Sequence, residues 1–536
     1  MGDVYGEWDI ASDQLLEAAV VQFVQGDRVG ACSALRGSFA AIVLGPESLS
    51  VITDRVASRK VFRWDTAEGT WLDTDLEAFR DRPADPAGVA SLIINRFVYS
   101  GRTVFSNVVS LTRASIHRCD GTRWDAEEYW QYDFSRSAKS EMTADASAAG
   151  EELWRLICRA IRRRMPAEGP VLLSLSGGLD SRVLLAGLMN QGFSLTRLKT
   201  FSFGSAEDDD VIVASVLASS AALQWTLVPG SATLPGLLRA NAAHGDGQVF
   251  FYPRGLDGFG DLVGSLGPAV TVMVGDECYG WNDMPLGSAD EVLSRGIGIR
   301  SPATVPSYYS CGAFDHRAIA QTLQEDANAL KRRYEHIESW HDLKDVLYLD
   351  QRMSNMLLPW RERHAGRFAR LVNPHIDDDI LDFMKGVPTE LRLNKRLFRE
   401  TAQQFMGHLS NVRYARTGGS SNDFLDHLFI RHYKEIEHLA LGAPSALDEV
   451  LPPEVISAGL AQLCLHIDFT RSRLPTAVAG LIHKLKAGAA RYRFSRSRRS
   501  DCGAATGGAQ GAMSLAPIQM ATVLQLRMFL AGNVNG

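Results

Sequence analysis

Apolar positions in the first 130 residues fall in short runs broken by Gly, Pro and Asp. The runs 38–44, 48–53, 71–76 and 115–118 predict strands, and residues 86–97 predict a helix. From 135 to 149 the chain turns small and polar, which predicts a linker running into a helix. Between about 148 and 270 the pattern alternates. Helical spacing over 148–164 is followed by an apolar strand at 171–175, a helix at 183–191 closed by Gly192, and a strand at 198–203. A helix at 211–223 and a strand at 225–228 come next. Strands alternating with helices predict a parallel, doubly wound α/β sheet. From 315 to 490 helical spacing dominates, at 315–337, 341–363, 381–384, 396–406 and 424–441. The tail carries a basic run at 491–499, a Gly/Ala-rich stretch at 503–512 and an amphipathic segment at 518–530 expected to dock back. The basic run reads as a solvated segment, with an acidic peptide or RNA as the alternative contact.

Composition narrows the class. The 536 residues are 46% hydrophobic and 22% charged, with a net charge of −6, which suits a globular protein of two or three domains. That balance gives no global pull toward nucleic acid or an anionic membrane. No apolar run reaches the length of a membrane span, and the acidic start lacks a signal-peptide core. Met1-Gly2 opens like a myristoylation site, but Gly6 stands where Ser or Thr is needed. The seven cysteines, Cys32, Cys119, Cys158, Cys278, Cys311, Cys464 and Cys502, form no Cys-x-x-Cys and read as scattered reduced thiols. A cytoplasmic location is the expectation.

One stretch carries chemistry: Ser174-Leu-Ser-Gly-Gly-Leu-Asp-Ser-Arg182, between an apolar strand and a helix. Unpaired amides of such a turn, together with the helix dipole, make an anion site. Gly177 and Gly178 let the backbone approach an oxyanion, and Ser176 and Ser181 offer hydroxyl donors. Asp180 fits beside a phosphate only with a cation such as Mg²⁺ between them. No Gly-Lys-Ser/Thr follows, so this is not a Walker loop. The motif resembles the pyrophosphate-binding loop, Ser-Gly-Gly-x-Asp-Ser, of the ATP pyrophosphatases, which split ATP between the α and β phosphates.

Further motifs widen the likeness. Leu35-Arg-Gly-Ser-Phe-Ala, Thr53-Asp-Arg-Val-Ala-Ser-Arg-Lys-Val-Phe62 and Arg102-Thr-Val-Phe-Ser-Asn-Val-Val-Ser-Leu111 resemble segments of the asparagine synthetase B-like family. That resemblance implies an N-terminal Ntn-type, glutaminase-like β sandwich (1–134), a linker (135–150), an ATP-pyrophosphatase domain with a helical C-terminal part (151–490), and a basic, Gly-rich tail with a terminal helix (491–536). It implies ATP and Mg²⁺ as cofactors. Val272-Met-Val-Gly-Asp-Glu-Cys-Tyr-Gly280 is similar to the family's second metal-binding patch, so Asp180 and Asp276 are the implied metal ligands, with Glu277 as neighbour. Leu175, Ser176, Gly177, Gly178, Leu179, Asp180 and Ser181 would bind ATP and pyrophosphate, with Ser202 and Phe203 beside adenine. Asp208–Asp210 read as a favourable helix start, or as an attractor for a metal or amine. His244, His364 and His375 read as structural, His375 being nearest the expected site.

The departures are equally telling. A working glutaminase of this family needs a cysteine at position 2. Gly2 stands there, so the N-terminal domain is expected to be inactive. Met273 and Arg370 replace the residues with which β-lactam synthetases deprotonate an internal amine, and Arg416 takes the place of a late catalytic lysine. Arginine there keeps the charge but cannot donate a proton. These losses most resemble the lasso peptide cyclases, or macrolactam synthetases. They adenylate an Asp or Glu side chain of a precursor peptide, which its own N-terminal amine then attacks. The implied partners are the precursor peptide, a leader-binding protein and a leader peptidase, with no nucleic acid and no membrane span. The alternative is a β-lactam synthetase-like or ammonia-dependent amide ligase acting on a small molecule.

Overall fold

The computed structural model describes residues 2–5, 12–46, 48–121, 123–134, 145–229, 233–250, 257–280, 284–302, 316–416, 423–471 and 515–532. The basic run at 491–499 and the Gly/Ala-rich stretch at 503–512 lie outside them.

Eight strands form the N-terminal part: β1 (Gly2–Tyr5), β2 (Arg36–Leu44), β3 (Ser48–Thr53), β4 (Phe62–Asp65), β5 (Thr70–Asp73), β6 (Val108–Ser110), β7 (Ser115–Asp120) and β8 (Arg123–Glu128). Five pair antiparallel in the order β1-β2-β3-β7-β8, and three make a second sheet, β5-β4-β6. The expected helix covers Pro86–Asn95, capped by Asp85, whose carboxylate accepts from the Ala87 and Gly88 amides. Two helices that the short-run pattern does not announce, Ser12–Val24 and Arg28–Ala34, precede β2. After β3 the buried Asp54 folds its segment into a turn. Its carboxylate accepts from the amides of Phe39, Val56 and Ser58. Ala57 sits in that turn at φ 46°, in the left-handed region.

The second part is built on five parallel strands: β9 (Val171–Ser174), β10 (Leu198–Gly204), β11 (Gln224–Pro229), β12 (Thr271–Met273) and β13 (Arg370–Val372). Their order is β11-β10-β9-β12-β13. Val171, Leu172 and Leu173 are wholly buried, as a central strand covered on both faces requires. The chain moves outward from β9 through β10 to β11, then returns to the other side of β9 for β12 and β13. The strand order therefore reverses between β9 and β12, and the segments leaving their C-terminal ends part there. Helices Ala146–Arg164 and Asp180–Asn190 pack together beside this sheet.

Helices make up much of the rest. The long helical run expected at 341–363 is Trp340–Leu347, a π-helical stretch Tyr348–Leu357, and Leu358–His364. The last segment, Pro517–Leu530, does dock, but it is not amphipathic in its setting. Every residue from Gln519 to Leu530 is buried. It packs on helices Leu234–Gly245 and Asp423–Leu441, and Arg527 is matched there by Asp448 at 2.9 Å. A helix covered all round has no need of a polar face.

The two parts are joined by an ionic seam. Asp378, 4% exposed, accepts from the Gly37 amide at 2.6 Å and faces Arg55 Nε at 3.5 Å. Arg55 also meets Asp382 at 2.7 Å, and Asp382 accepts from Trp130 Nε1 at 2.8 Å. From the other side Arg159 and Arg163 bind Asp379, and Arg164 binds Asp377. Three aspartates at the start of helix Asp378–Gly386 also suit its positive end. No described helix is long and apolar enough to cross a membrane.

Candidate active site

The loop Ser176–Ser181 leaves β9 and runs into helix Asp180–Asn190 at the place where the strand order reverses. Its first three amides are not left open, contrary to the sequence expectation. Ser181 Oγ accepts from the Ser176 N–H at 3.0 Å, and Ser176 Oγ accepts from the Gly178 N–H at 3.2 Å. The Gly177 N–H donates to Asp210 Oδ1 at 3.0 Å. A carboxylate oxygen thus already occupies one amide of the loop, an arrangement that shows the amide can hold an anionic oxygen. Gly177 is required by close approach: a Cβ there would lie 2.6 Å from Ala415 Cβ and 3.0 Å from Val213 Cβ.

Arg182, buried at the foot of the loop, fastens a second segment over it. Its guanidinium donates to the carbonyls of Leu409 (3.2 Å), Val412 (2.5 Å) and Arg413 (2.9 Å), and stacks on Tyr414 at 4.2 Å. The Ala415 N–H then reaches the Gly177 carbonyl at 3.1 Å. Asp209 accepts from the Arg413 guanidinium and, at 2.6 Å, from the Arg416 N–H. Those two hydrogen bonds, the Arg413 side chain first, hold its carboxyl well below the usual range. Asp209 and Asp210 therefore brace the loop and its strap, more than the helix-start reading had assigned to them. Arg416 is exposed beside the loop.

The charged centre lies across the reversal from the loop. Asp276 and Glu277 follow β12, and Gly275 places its backbone against Asp180, where a Cβ would be 3.5 Å from the Asp180 carbonyl carbon. Lys395 Nζ lies 3.2 Å from Asp180 Oδ1 and 2.8 Å from Glu277 Oε1. Arg361 makes a fork with Asp276, at 2.9 and 3.2 Å. Burial works against the Lys395 ammonium, but Glu277 and Asp180 outweigh it and hold the group above its ordinary value. Burial lifts the Glu277 carboxyl, which Lys395 partly offsets. His375, wholly buried, bridges Asp180 and Tyr279. Its Nε2 is 2.9 Å from the Asp180 carbonyl and its Nδ1 2.8 Å from the Tyr279 hydroxyl. Both nitrogens are committed, so His375 positions Asp180, as its structural reading had it.

Lys395 escaped the sequence reading. No spacing singles it out. Asn394 and Lys395 both adopt left-handed conformations (φ 54° and 55°) just before helix Arg396–Phe405, and that kink turns the side chain into the site. The Asn ahead of the helix was the available signal. A cavity of about 920 Å³ opens beside the loop, lined by Gly177, Gly178, Leu179 and Asp180 on one side and by Lys395 and Tyr414 among those opposite.

Other expected residues fall elsewhere. Leu175 is 2% exposed and bonded to β10 through its amide. Ser202 is buried, and its hydroxyl donates to the Leu175 carbonyl (2.7 Å) while accepting from Trp225 Nε1 (3.0 Å). That hydroxyl holds a strand end, with its one proton and one of its two lone pairs engaged. Phe203 packs against Phe201 and Phe259 at 5.2 and 5.5 Å. Met273 is fully buried core, and Arg370 reaches the Arg164 carbonyl at 3.4 Å. The five described cysteines are free thiols, and Cys311 and Cys502 lie outside the described residues.

Among the described residues no three His, Cys, Asp or Glu side chains cluster as a metal cage. Asp180 and Asp276 nevertheless fit Mg²⁺, which is commonly held by one or two carboxylates plus substrate phosphates. Both carboxylates already keep a positive charge beside them.

Residues 152–253 match the family model described as asparagine synthase. This supports an asparagine synthetase-like family. The matched span includes the whole loop and strands β9 to β11, and it suggests ATP-dependent amide ligase activity. A solved structure, glutamine phosphoribosylpyrophosphate amidotransferase from B. subtilis complexed with ADP and GMP, is similar at 10% identity and a TM-score of 0.16. The likeness covers 49% of this chain and 48% of that one, and at such a score it carries no structural argument. No curated protein matches the chain.

Proposed function

We propose that the chain is an AMP-forming ligase that closes a macrolactam in a precursor peptide, of the lasso peptide cyclase kind, with its N-terminal sheets forming an inactive glutaminase-like domain. The carrying observation is the centre at the strand-order reversal, where Asp180, Asp276 and Glu277 meet Lys395 and Arg361 beside the glycine loop. The loop and Lys395 would hold the polyphosphate of ATP. A substrate carboxylate oxygen attacks the α-phosphorus, and the bond to the β-bridging oxygen breaks, its electron pair leaving with pyrophosphate. The peptide's amine then displaces AMP to give the amide. Asp180 and Asp276 would hold magnesium, which supplies charge neutralisation on the leaving pyrophosphate. Lys395 brings a proton-bearing cation to the loop that Arg416 cannot replace, and Arg416 is proposed to add charge at its rim.

An intramolecular amine is favoured because the N-terminal part offers no reactive thiol among its described residues. Cys32 is wholly buried, and burial pushes its thiol up to about 12. Cys119 is also raised, by burial first. The alternative small-molecule amide ligase, β-lactam synthetase-like or ammonia-dependent, draws on the size of the cavity, about 920 Å³, which is within the range of small-ligand sites. Incubation with ATP, Mg²⁺ and a linear peptide bearing a free amine and a downstream Asp or Glu separates the two. Loss of one water from the peptide with release of AMP supports the cyclase. Amide formation on a free amino acid with the peptide untouched refutes it.

A further inference from the structure

The cavity beside the loop holds a second cation that nothing else in the site balances. Helix Arg396–Phe405 carries Arg399 and Gln403 one turn apart, continuing the face on which Lys395 precedes it. All three line the cavity opposite Gly177, Gly178 and Asp180. The neighbouring Arg396 is paired with Glu400 at 2.9 Å, and Lys395 is matched by two carboxylates. Arg399 is exposed to the cavity and has no hydrogen bond or ion pair among the described residues. Around the charged centre, Lys395 and Arg361 face three carboxylates, so those groups alone repel a polyanion.

We propose that Arg399 grips the β- and γ-phosphates of ATP, and therefore the pyrophosphate that departs. This rests on the ATP reading above. A guanidinium presents a planar fork suited to phosphate oxygens. The facing wall includes Gly178, where a Cβ would meet only the Ser176 Oγ, at 3.2 Å, and the cavity of about 920 Å³ has room for a phosphate chain. The cavity is assigned to the phosphates because its lining sets the glycine loop against two cations, Lys395 and Arg399. When the α–β bond breaks, the new negative charge appears on pyrophosphate oxygen, opposite Arg399.

The test is calorimetric titration of the full-length protein, in Mg²⁺, with pyrophosphate, α,β-methylene-ATP and AMP. Arg399→Ala weakens pyrophosphate and α,β-methylene-ATP by about tenfold or more, as loss of a charge-assisted contact requires, and leaves AMP unchanged. Arg399→Lys recovers part of the loss, and the melting temperature stays the same. Unchanged pyrophosphate affinity, or an equal loss for AMP, overturns the proposal, as does a wild-type protein that binds no pyrophosphate. A wild-type protein that binds pyrophosphate through Arg399 but no nucleotide overturns the ATP reading and leaves only the pyrophosphate contact of Arg399 standing.

Discussion

Single side chains decide whether the loop can work. Gly177→Ala drives a Cβ into Ala415 and Val213, so it is expected to cost about 1–3 kcal/mol and to abolish turnover, measured by urea unfolding alongside AMP release. Lys395→Met leaves Glu277, 5% exposed, without its counter-charge. It should destabilise the protein by about 3 kcal/mol, and adding Glu277→Gln should restore stability but not activity. Recovery of activity in that double variant would remove Lys395 from the mechanism. The glycines were legible in the sequence because a turn between strand and helix admits few side chains. Lys395 was not. Its role comes from two left-handed residues and a contact across more than 200 positions to Asp180, which no local pattern records.

At the scale of elements, the loop is held by its neighbours rather than by itself. His375 links the start of helix Asp180–Asn190 to Tyr279, and burial depresses its pKa. A histidine kept neutral in the fold stabilises it fully above the unfolded value, near 6.5, and that contribution is lost as pH falls below it. The stability gap between wild type and His375→Asn should therefore narrow between pH 7.5 and 5.5 in denaturant titrations, and a constant gap would refute the account. The alternating pattern from 148 to 228 announced strands and helices to within about three residues, because buried parallel strands are apolar throughout and their helices periodic. The strap Val412–Arg416 was marked in sequence only by the likeness at Arg416, and its fastening over the loop was not. It is fixed by carbonyls that accept from Arg182, and carbonyls carry no sequence identity.

The whole molecule is one ionic and apolar assembly more than a catalytic half with an appendage. Arg55→Met strips Asp378 and Asp382 of a shared cation at the seam and should lower the unfolding free energy by about 3 kcal/mol. Removal of the terminal helix Pro517–Leu530 would bare the surfaces of Leu234–Gly245 and Asp423–Leu441. That variant should be recovered only as aggregate. If the N-terminal part is a scaffold, glutamine incubated with the protein yields no glutamate. The seam was unreadable in sequence, since Arg36, Arg55 and Asp378–Asp382 are far apart along the chain and ordinary in type. The central claim is that ATP is cleaved between its α and β phosphates at Asp180. Exchange of labelled pyrophosphate into ATP, with the linear peptide and Mg²⁺ present, tests it most directly. Label entering ATP with wild type but not with Asp180→Ala is the predicted result. ADP and phosphate as products, or undiminished exchange by Asp180→Ala, would contradict it.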